Sequence, residues 1–248
     1  MSKANKPVLV VGGGISGIII ATELADIGKE VIMVERLPYL GGNVIKMNNY
    51  FPKLCPPACG LELYFRRIRQ NPGIQIITSS HISDFSGEKG NFSVIVESDP
   101  DYVNQNCTAC GDCEKVCPVF RPNDFNNFFD KTKCIFLPHQ LAFPYKYCID
   151  DMYCEKHECS LCQDVCKYNA IDLSAQKVRK TLDVSAIVFA TGWMPYDILG
   201  IENLNGGRYE NIISNIDMER LLAPNGPGKG KVYRPTDGAE PKNLVFVQ

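Results

Sequence analysis

The residues best suited to chemistry are cysteines, of which this chain of 248 residues has twelve. Four of them form one run, C-x2-C-x2-C-x3-C, and a proline follows the last. This spacing is typical of bacterial ferredoxins, in which three thiolates bind one [4Fe–4S] cluster and the fourth binds a second cluster. A zinc site would more often use two separated C-x2-C pairs. The run therefore predicts an iron–sulfur site that uses Cys107, Cys110, Cys113 and Cys117.

A second cluster needs a second run, and one follows with gaps of four, two and three residues. Only its last part repeats the first run, and Lys167 stands where a proline usually follows. Treated as an internal repeat, the two runs exchange their last ligands. We predict one cluster bound by Cys107, Cys110, Cys113 and Cys166, and another bound by Cys117, Cys154, Cys159 and Cys162.

Two cysteines between these runs stay open. Because the first gap of the second run is long, Cys148 is an alternative to Cys154 as a ligand. Cys134 has no place in either run, and its default interpretation is a small buried apolar residue.

Composition and the N-terminus bear on where the protein works. The N-terminus lacks the long apolar region and cleavage site of a signal peptide, so we expect a cytoplasmic protein whose thiols are reduced. The net charge of -2 comes from acidic and basic residues that are mixed along the chain, which predicts no nucleic-acid partner. No uncharged run is expected to span a membrane, so we expect any membrane association to come through partner proteins.

Glycines near the N-terminus predict a dinucleotide site. Gly12, Gly14 and Gly17 form a G-x-G-x-x-G turn between an apolar strand at 7–11 and a helical pattern at 18–27. A second strand at 30–34 ends at Glu35, whose carboxylate is placed to accept hydrogen bonds from ribose hydroxyls. The glycines permit a tight turn, so that a pyrophosphate can bind at the positive end of the helix.

Two further segments favour FAD as the dinucleotide. The paired glycines in R-L-P-Y-L-G-G-N resemble the second glycine signature of the FAD families that include glutathione reductase and thioredoxin reductase. A predicted buried strand at 184–190 ends in A-T-G, which resembles the segment that closes the flavin site in those families. The predicted cofactor-binding residues are Gly12, Gly14, Ile15, Ser16, Gly17, Glu35, Arg36, Gly41, Gly42, Asn43, Ala190, Thr191 and Gly192.

The elements between these segments complete an α/β domain. Leu61, Phe65 and Ile68 repeat at helical spacing before a stop at 71–73, and strands are predicted at 74–78 and 92–97. We predict an FAD-binding Rossmann-like fold of the glutathione and thioredoxin reductase class, with an inserted α+β bacterial ferredoxin-like module. The expected boundaries are 1–100 for the first part of the FAD-binding domain and 101–173 for the insertion. Residues 174–248 are expected to hold the second part of the FAD-binding domain and the start of a truncated following segment.

Cys55 and Cys59 lie just after the paired glycines, where disulfide reductases of the FAD class carry their redox dithiol. The two prolines between them predict a loop. A dithiol beside the flavin, a metal or cluster site, and a purely structural role all remain open for this pair.

The flavin signature interrupted by a ferredoxin insertion resembles the A subunits of heterodisulfide reductases. The segments at 48–62, 102–113, 190–197 and 218–227 further resemble the A subunits of the quinone-interacting membrane-bound oxidoreductases of sulfate reducers. The resemblance implies a cytoplasmic flavin and iron–sulfur protein that docks on a membrane-embedded partner. Its partners would be the other subunits of that complex and adenylylsulfate reductase, and its electrons would pass between menaquinol and that reductase.

The resemblance also implies a longer flavoprotein. We therefore expect a truncation at Gln248, and our hypothesis is that a UGA selenocysteine codon was read as a stop. No side chain is expected to act as a catalytic acid or base, because FAD and the clusters would carry the electrons. The alternatives to the electron-transfer role are a soluble FAD-dependent disulfide or heterodisulfide reductase that uses Cys55 and Cys59, and a non-catalytic cluster-binding scaffold.

Overall fold

The computed structural model describes residues 6–50, 52, 54–156 and 158–247. Gln248, where the truncation is expected, lies outside the described residues. The chain divides into two compact units. Unit 1 contains residues 1–44, 58–121 and 132–192, and unit 2 contains residues 45–57, 122–131 and 193–248.

A parallel four-stranded sheet forms the base of unit 1. Its strands are β1 (Val8–Val11), β2 (Val31–Val34), β3 (Ile74–Ile77) and β11 (Ala186–Phe189), in the order β11-β1-β2-β3. The connections are helices α1 (Ile15–Asp26) and α2 (Pro57–Gln70). Leu61, Phe65 and Ile68 of α2 are buried as their spacing predicted. Parallel strands need such crossovers, and this sheet confirms the α/β class.

A three-stranded antiparallel sheet packs on the parallel sheet. It contains β4 (Ser80–Glu88), β5 (Asn91–Ser98) and β10 (Val178–Val184), in the order β10-β5-β4. Leu9 and Val34 of the parallel sheet share a buried core with Val94, Leu182 and Val184 of the antiparallel sheet. The alternation of apolar residues along β5 and β10 supplies this face, because successive side chains of a strand point to opposite sides.

The expected single buried strand at 184–190 is wrong in its bounds. Val184 is the last residue of β10, and β11 begins only at Ala186. Ser185 lies between them, and its N–H donates to the carbonyl oxygen of Pro7 at 2.9 Å. A run of apolar residues can therefore cross from one sheet to another, because periodicity does not show which sheet pairs with each residue.

The cysteine-rich segment leaves and rejoins the antiparallel sheet at adjacent points. Ser98 at the end of β5 pairs with Val178 at the start of β10. Val103 and Ile171 form an antiparallel bridge, so the two ends of the segment lie together. Between them are α3 (Asp112–Val116), β6 (Phe120–Pro122), β7 (Lys131–Lys133), β8 (Ile135–Phe136), β9 (Cys148–Ile149) and α4 (Leu161–Asp164).

Unit 2 is organised around helix α5 (Asn215–Leu222) and short 3-10 turns at Asp124–Asn126, Ile198–Gly200 and Glu202–Leu204. Ser214 and Asp217 form a capping box that begins α5. Arg220 is fully buried and donates to Asn126 Oδ1 at 2.9 Å, the Lys46 carbonyl at 3.0 Å and Asn225 Oδ1 at 2.8 Å. These bonds hold three chain segments of unit 2 together.

None of the helices in the described part of the chain is long and apolar enough to cross a membrane.

Candidate functional sites in the glycine turn and two thiol cavities

The glycine turn joins β1 to α1, and its close packing requires two of its glycines. Gly12 has a φ of +108°, and a Cβ there would lie 2.3 Å from the carbonyl oxygen of Ala190. A Cβ at Gly17 would lie 1.8 Å from the carbonyl oxygen of Gly12. Larger residues would therefore collide with backbone that cannot move aside, so these glycines serve the tight turn and the approach of helix to strand.

Gly14 is different, because none of the described residues lies close enough to require a glycine there. Its φ is −74°, which any residue can adopt, and a Cβ there would meet only Gly42 Cα, at 3.9 Å. Gly14 is the N-cap of α1, and no side chain caps the helix. Gly14 itself therefore offers no side-chain acceptor to the first N–H groups of α1. A helix start with room around it and a glycine N-cap fits a pyrophosphate group, which backbone N–H groups bind at such positions.

Glu35 is buried beside this turn, with 7% of its surface exposed. Its Oε2 accepts the N–H of Gly13 at 2.5 Å, and its Oε1 accepts the N–H of Leu37 at 2.8 Å. A carboxylate has about four acceptor positions, so these two bonds leave room for ribose hydroxyls. The sequence predicted the acid, but it did not predict that the acid also holds the glycine turn in place.

The paired glycines lie directly against the turn. Gly14 and Gly41 form a parallel bridge, and the N–H of Gly41 donates to the Gly13 carbonyl at 2.8 Å. Gly42 has a φ of +58° and lies close to Gly14. The N–H of Ala190 donates to the carbonyl of Val11 at 2.8 Å, which puts the A-T-G segment at the end of β1. The three predicted FAD segments therefore meet at one edge of the sheet.

The remaining predicted cofactor residues follow these segments directly. Arg36 adjoins Glu35 and is exposed, Asn43 follows the paired glycines and is half-buried, and Thr191 and Gly192 continue from Ala190 and are exposed.

The first thiol cavity is lined by one cysteine from the second run and three from the first. These are Cys107, Cys110, Cys113 and Cys166, together with Val103, Tyr147 and Ile171 among other residues. The N–H of Ala109 donates to Cys107 Sγ, and the N–H of Ala170 donates to Cys166 Sγ, both at 3.4 Å. Thiolates that bind clusters receive such N–H···S bonds, which raise the reduction potential.

The second thiol cavity has the complementary set. Cys117, Cys154, Cys159 and Cys162 line it, and so does Cys134. The cysteines that line each cavity are thus the same ones that the ferredoxin pattern groups together, and their role as cluster ligands stays a prediction.

Two short helices place the thiols in this way. Cys113 is the second residue of α3, and Cys162 is the second residue of α4. Each run's last cysteine follows its helix, so it points beyond the cavity that the helix borders. Cys113 and Cys162 are buried in one hydrophobic core with Tyr102, Tyr147 and Ile135. The two cavities are therefore neighbours across that core.

Burial keeps several of these thiols neutral. It raises the pKa of Cys113 to about 12 and that of Cys162 to about 11, and the thiols around each of them raise the pKa as well. Backbone N–H groups of Glu114 and Gln163 oppose this effect by donating to the two sulfurs. A buried thiol has to be ionised to bind iron, and the positive charge of bound iron would supply the stabilisation that the protein lacks.

Within the described residues, no three His, Cys, Asp or Glu side chains converge as the ligands of a single metal ion. Four thiols of the predicted ligand sets line each cavity, and thiolates are the ligands that iron–sulfur clusters take.

The structure also places the cysteines that the runs left open. Burial, followed by the neighbouring thiols of Cys154 and Cys117, raises the pKa of Cys134 to about 12. Cys148 lies in β9 and is absent from the described residues that line the two cavities. The predicted loop is wrong for Cys59, which is exposed and lies in α2, because Pro57 takes the first position of that helix, where proline is tolerated. Cys55 is half-buried and belongs to unit 2. The spacing of the cysteines along the sequence did not predict that Cys134 lines the second thiol cavity, because tertiary folding brings it there.

The segment that contains the glycine turn matches a known protein family. Residues 7–51 match the family described as FAD dependent oxidoreductase. The chain is 35% identical over 240 residues to the A-type subunit of the H(2):CoB-CoM heterodisulfide,ferredoxin reductase of Methanothermobacter thermautotrophicus, covering 96% of this chain and 36% of that protein. It is 37% identical over 249 residues to an A-type iron-sulfur subunit of the CoB--CoM heterodisulfide reductase of Methanopyrus kandleri, covering 99% and 37%. The chain thus spans just over a third of the length of these relatives.

Proposed function

We propose, from this homology with the A subunits of heterodisulfide reductases, that the chain is a flavin and iron–sulfur electron-transfer part of a multi-subunit oxidoreductase. The observation that carries the proposal is the sorting of eight cysteines into two neighbouring cavities, four from the expected set in each. Two clusters on either side of one small core would pass electrons between them. Residues 101–173 would be the inserted ferredoxin-like module.

FAD would bind at the edge of the parallel sheet where the three glycine-containing segments meet. Gly14 and the N–H groups that begin α1 would bind the pyrophosphate, and Glu35 would orient the ribose. When bound, FAD supplies the exchange between two-electron and one-electron chemistry. The protein's own contribution is to bind and orient these groups, and no side chain has to move a proton.

A more specific proposal concerns the proteins with which this chain exchanges electrons. We propose a quinone-interacting complex in which electrons pass between menaquinol and adenylylsulfate reductase during dissimilatory sulfate reduction. It is supported by the four segments that resemble the A subunits of such complexes, at 48–62, 102–113, 190–197 and 218–227. The chain would then work in the cytoplasm, associated with the membrane through its partner subunits.

The first test is to count cofactors in one anaerobically purified sample. FAD with about eight irons and eight acid-labile sulfides per chain is the expected result. Iron near four would mean that the second thiol cavity binds no cluster. Iron without flavin would refute the electron-transfer proposal and leave a cluster scaffold.

The partner assignment needs a separate test. The protein would be reduced, and the absorbance of its flavin and clusters would be followed after adding either adenylylsulfate reductase or a heterodisulfide. Fast reoxidation by the reductase alone supports the sulfate-reduction assignment. Fast reoxidation by the heterodisulfide alone contradicts it.

The exposed thiol of Cys59 supports a second candidate function, that of a soluble disulfide reductase. That function predicts turnover with a disulfide substrate and its loss in Cys59→Ser. The matched control is Cys148→Ser, which changes a buried thiol outside both cavities. Turnover that survives Cys59→Ser would exclude the dithiol mechanism.

A further inference from the structure

The second thiol cavity contains one thiol more than a four-ligand cluster needs. Five cysteines line it, whereas four line the first thiol cavity. The additional one is Cys134, only 1% of which is exposed. Its sulfur therefore belongs to the interior wall of the cavity, among four thiols that the proposed function assigns to a cluster.

The backbone holds Cys134 beside Cys154. The Cys134 thiol donates to the carbonyl oxygen of Asp150 at 3.2 Å, and the N–H of Cys154 donates to the same oxygen at 3.1 Å. The N–H of Cys134 donates to the Val119 carbonyl at 2.9 Å, and its own carbonyl accepts from Asp150 at 3.0 Å. One carbonyl oxygen thus positions both cysteines, and two backbone bonds fix Cys134 in that place.

Cys154 is also the least regular of the four assigned ligands. Four residues separate it from Cys159, whereas two separate the corresponding cysteines of the first run. It is half-buried, whereas Cys134 is buried. The sequence suggested Cys148 as the alternative ligand, but Cys148 is buried near Lys146 and Cys107, outside the second thiol cavity.

We propose that Cys134 is a reserve ligand of the cluster in the second thiol cavity, able to replace Cys154. The proposal rests on the proposed function, because it needs a cluster in that cavity. Replacement forms a bond between iron and Cys134 sulfur and breaks the bond between iron and Cys154 sulfur. Cys134 releases its thiol proton to solvent. In a chain that has Cys154, the sulfur of Cys154 takes up a proton as it leaves the iron. No oxidation state changes.

The test uses alanine variants of Cys134 and Cys154, singly and together, in the whole chain after anaerobic cluster reconstitution. Iron, sulfide and the EPR spectrum of the reduced protein are measured. Both single variants should keep about eight irons per chain, and the double variant should fall to about four. Cys154→Ala should also show an altered EPR signal, because its cluster has a different ligand.

Two matched variants fix the interpretation. Cys148→Ala removes a buried thiol outside the cavity and should keep about eight irons, whereas Cys159→Ala removes a ligand with no thiol in reserve and should keep about four. The EPR signal of the cluster in the first thiol cavity shows whether each variant is folded. If Cys154→Ala lacks that signal, Cys154→Val, which fills the space of the thiol, takes its place.

The outcomes separate this proposal from the proposed function. A wild-type protein with about eight irons whose Cys154→Ala variant has about four would refute the reserve ligand alone. A double variant that keeps about eight irons would refute it too, because some other group would be the replacement. A wild-type protein with about four irons would overturn the second cluster itself, and the reserve ligand with it.

Discussion

Gly14→Ala should separate the binding of FAD from the stability of the fold. The added methyl group would lie 3.9 Å from Gly42 Cα, an ordinary contact, and the φ of −74° suits alanine. Loss of a glycine N-cap should therefore cost about 1 kcal/mol or less. The same methyl group would occupy the space through which the pyrophosphate approaches α1. We expect FAD affinity to fall at least about tenfold, which corresponds to about 1.4 kcal/mol.

The matched control is Gly17→Ala, in the same turn. Its Cβ would lie 1.8 Å from the backbone oxygen of Gly12, so overpacking should cost about 1–3 kcal/mol or more. Urea unfolding followed by circular dichroism gives the stabilities, and quenching of flavin fluorescence gives the affinities. If Gly14→Ala binds FAD as the wild type does, the space at Gly14 does not serve the cofactor. Destabilisation of Gly14→Ala as large as that of Gly17→Ala would equally refute the reasoning.

Three further predictions concern the thiols and unit 2. Cys166→Ala should lower the iron content from about eight to about four and remove the EPR signal of the cluster in the first thiol cavity, although Cys166 belongs to the second run. Loss of the EPR signal of the cluster in the second thiol cavity would refute the exchange of ligands. Burial raises the pKa of Cys148 from 9.0 to about 12, so this thiol stabilises the fold below about pH 9 and loses that contribution as the pH rises to about 12. Urea unfolding of apo Cys148→Ala should accordingly show a free energy of unfolding that falls less steeply over that range, by up to about 1.4 kcal/mol per pH unit. Arg220→Met should destabilise unit 2 by about 3 kcal/mol in denaturant unfolding, because three acceptors lose their donor. The control is Arg208→Met at an exposed position, which should change the free energy of unfolding by less than about 0.5 kcal/mol.

The flavin-type segment was readable in the sequence because its signals are local. The turn at Gly12, Gly14 and Gly17 follows a short apolar strand and begins a helix, and Glu35 ends the next strand. Each of these features depends on neighbouring residues and on backbone conformations that few residue types allow. The roles of the individual glycines were not readable, since only the packed structure shows that Gly17 faces backbone and Gly14 faces open space.

The bounds of β10 and β11 mark the limit of such local reasoning. Apolar residues run through Val184 and continue from Ala186, but the hydrogen bonds of two different sheets divide them at Ser185. Strand pairing is decided by distant partners, and hydrophobic periodicity carries no information about which partner a residue has.

By itself, the sequence determined the α/β class, the glycine turn and the two cysteine runs, since spacing along a chain dictates which residues a short turn or helix can bring together. Only the tertiary structure decided that Cys134 shares a cavity with four cysteines of the two runs. Cys134 lies twenty residues before Cys154, and two paired strands, the loop between them and one shared carbonyl of Asp150 bring them side by side. Such proximity results from the packing of the whole segment around its core, which fixes distances that no local spacing encodes.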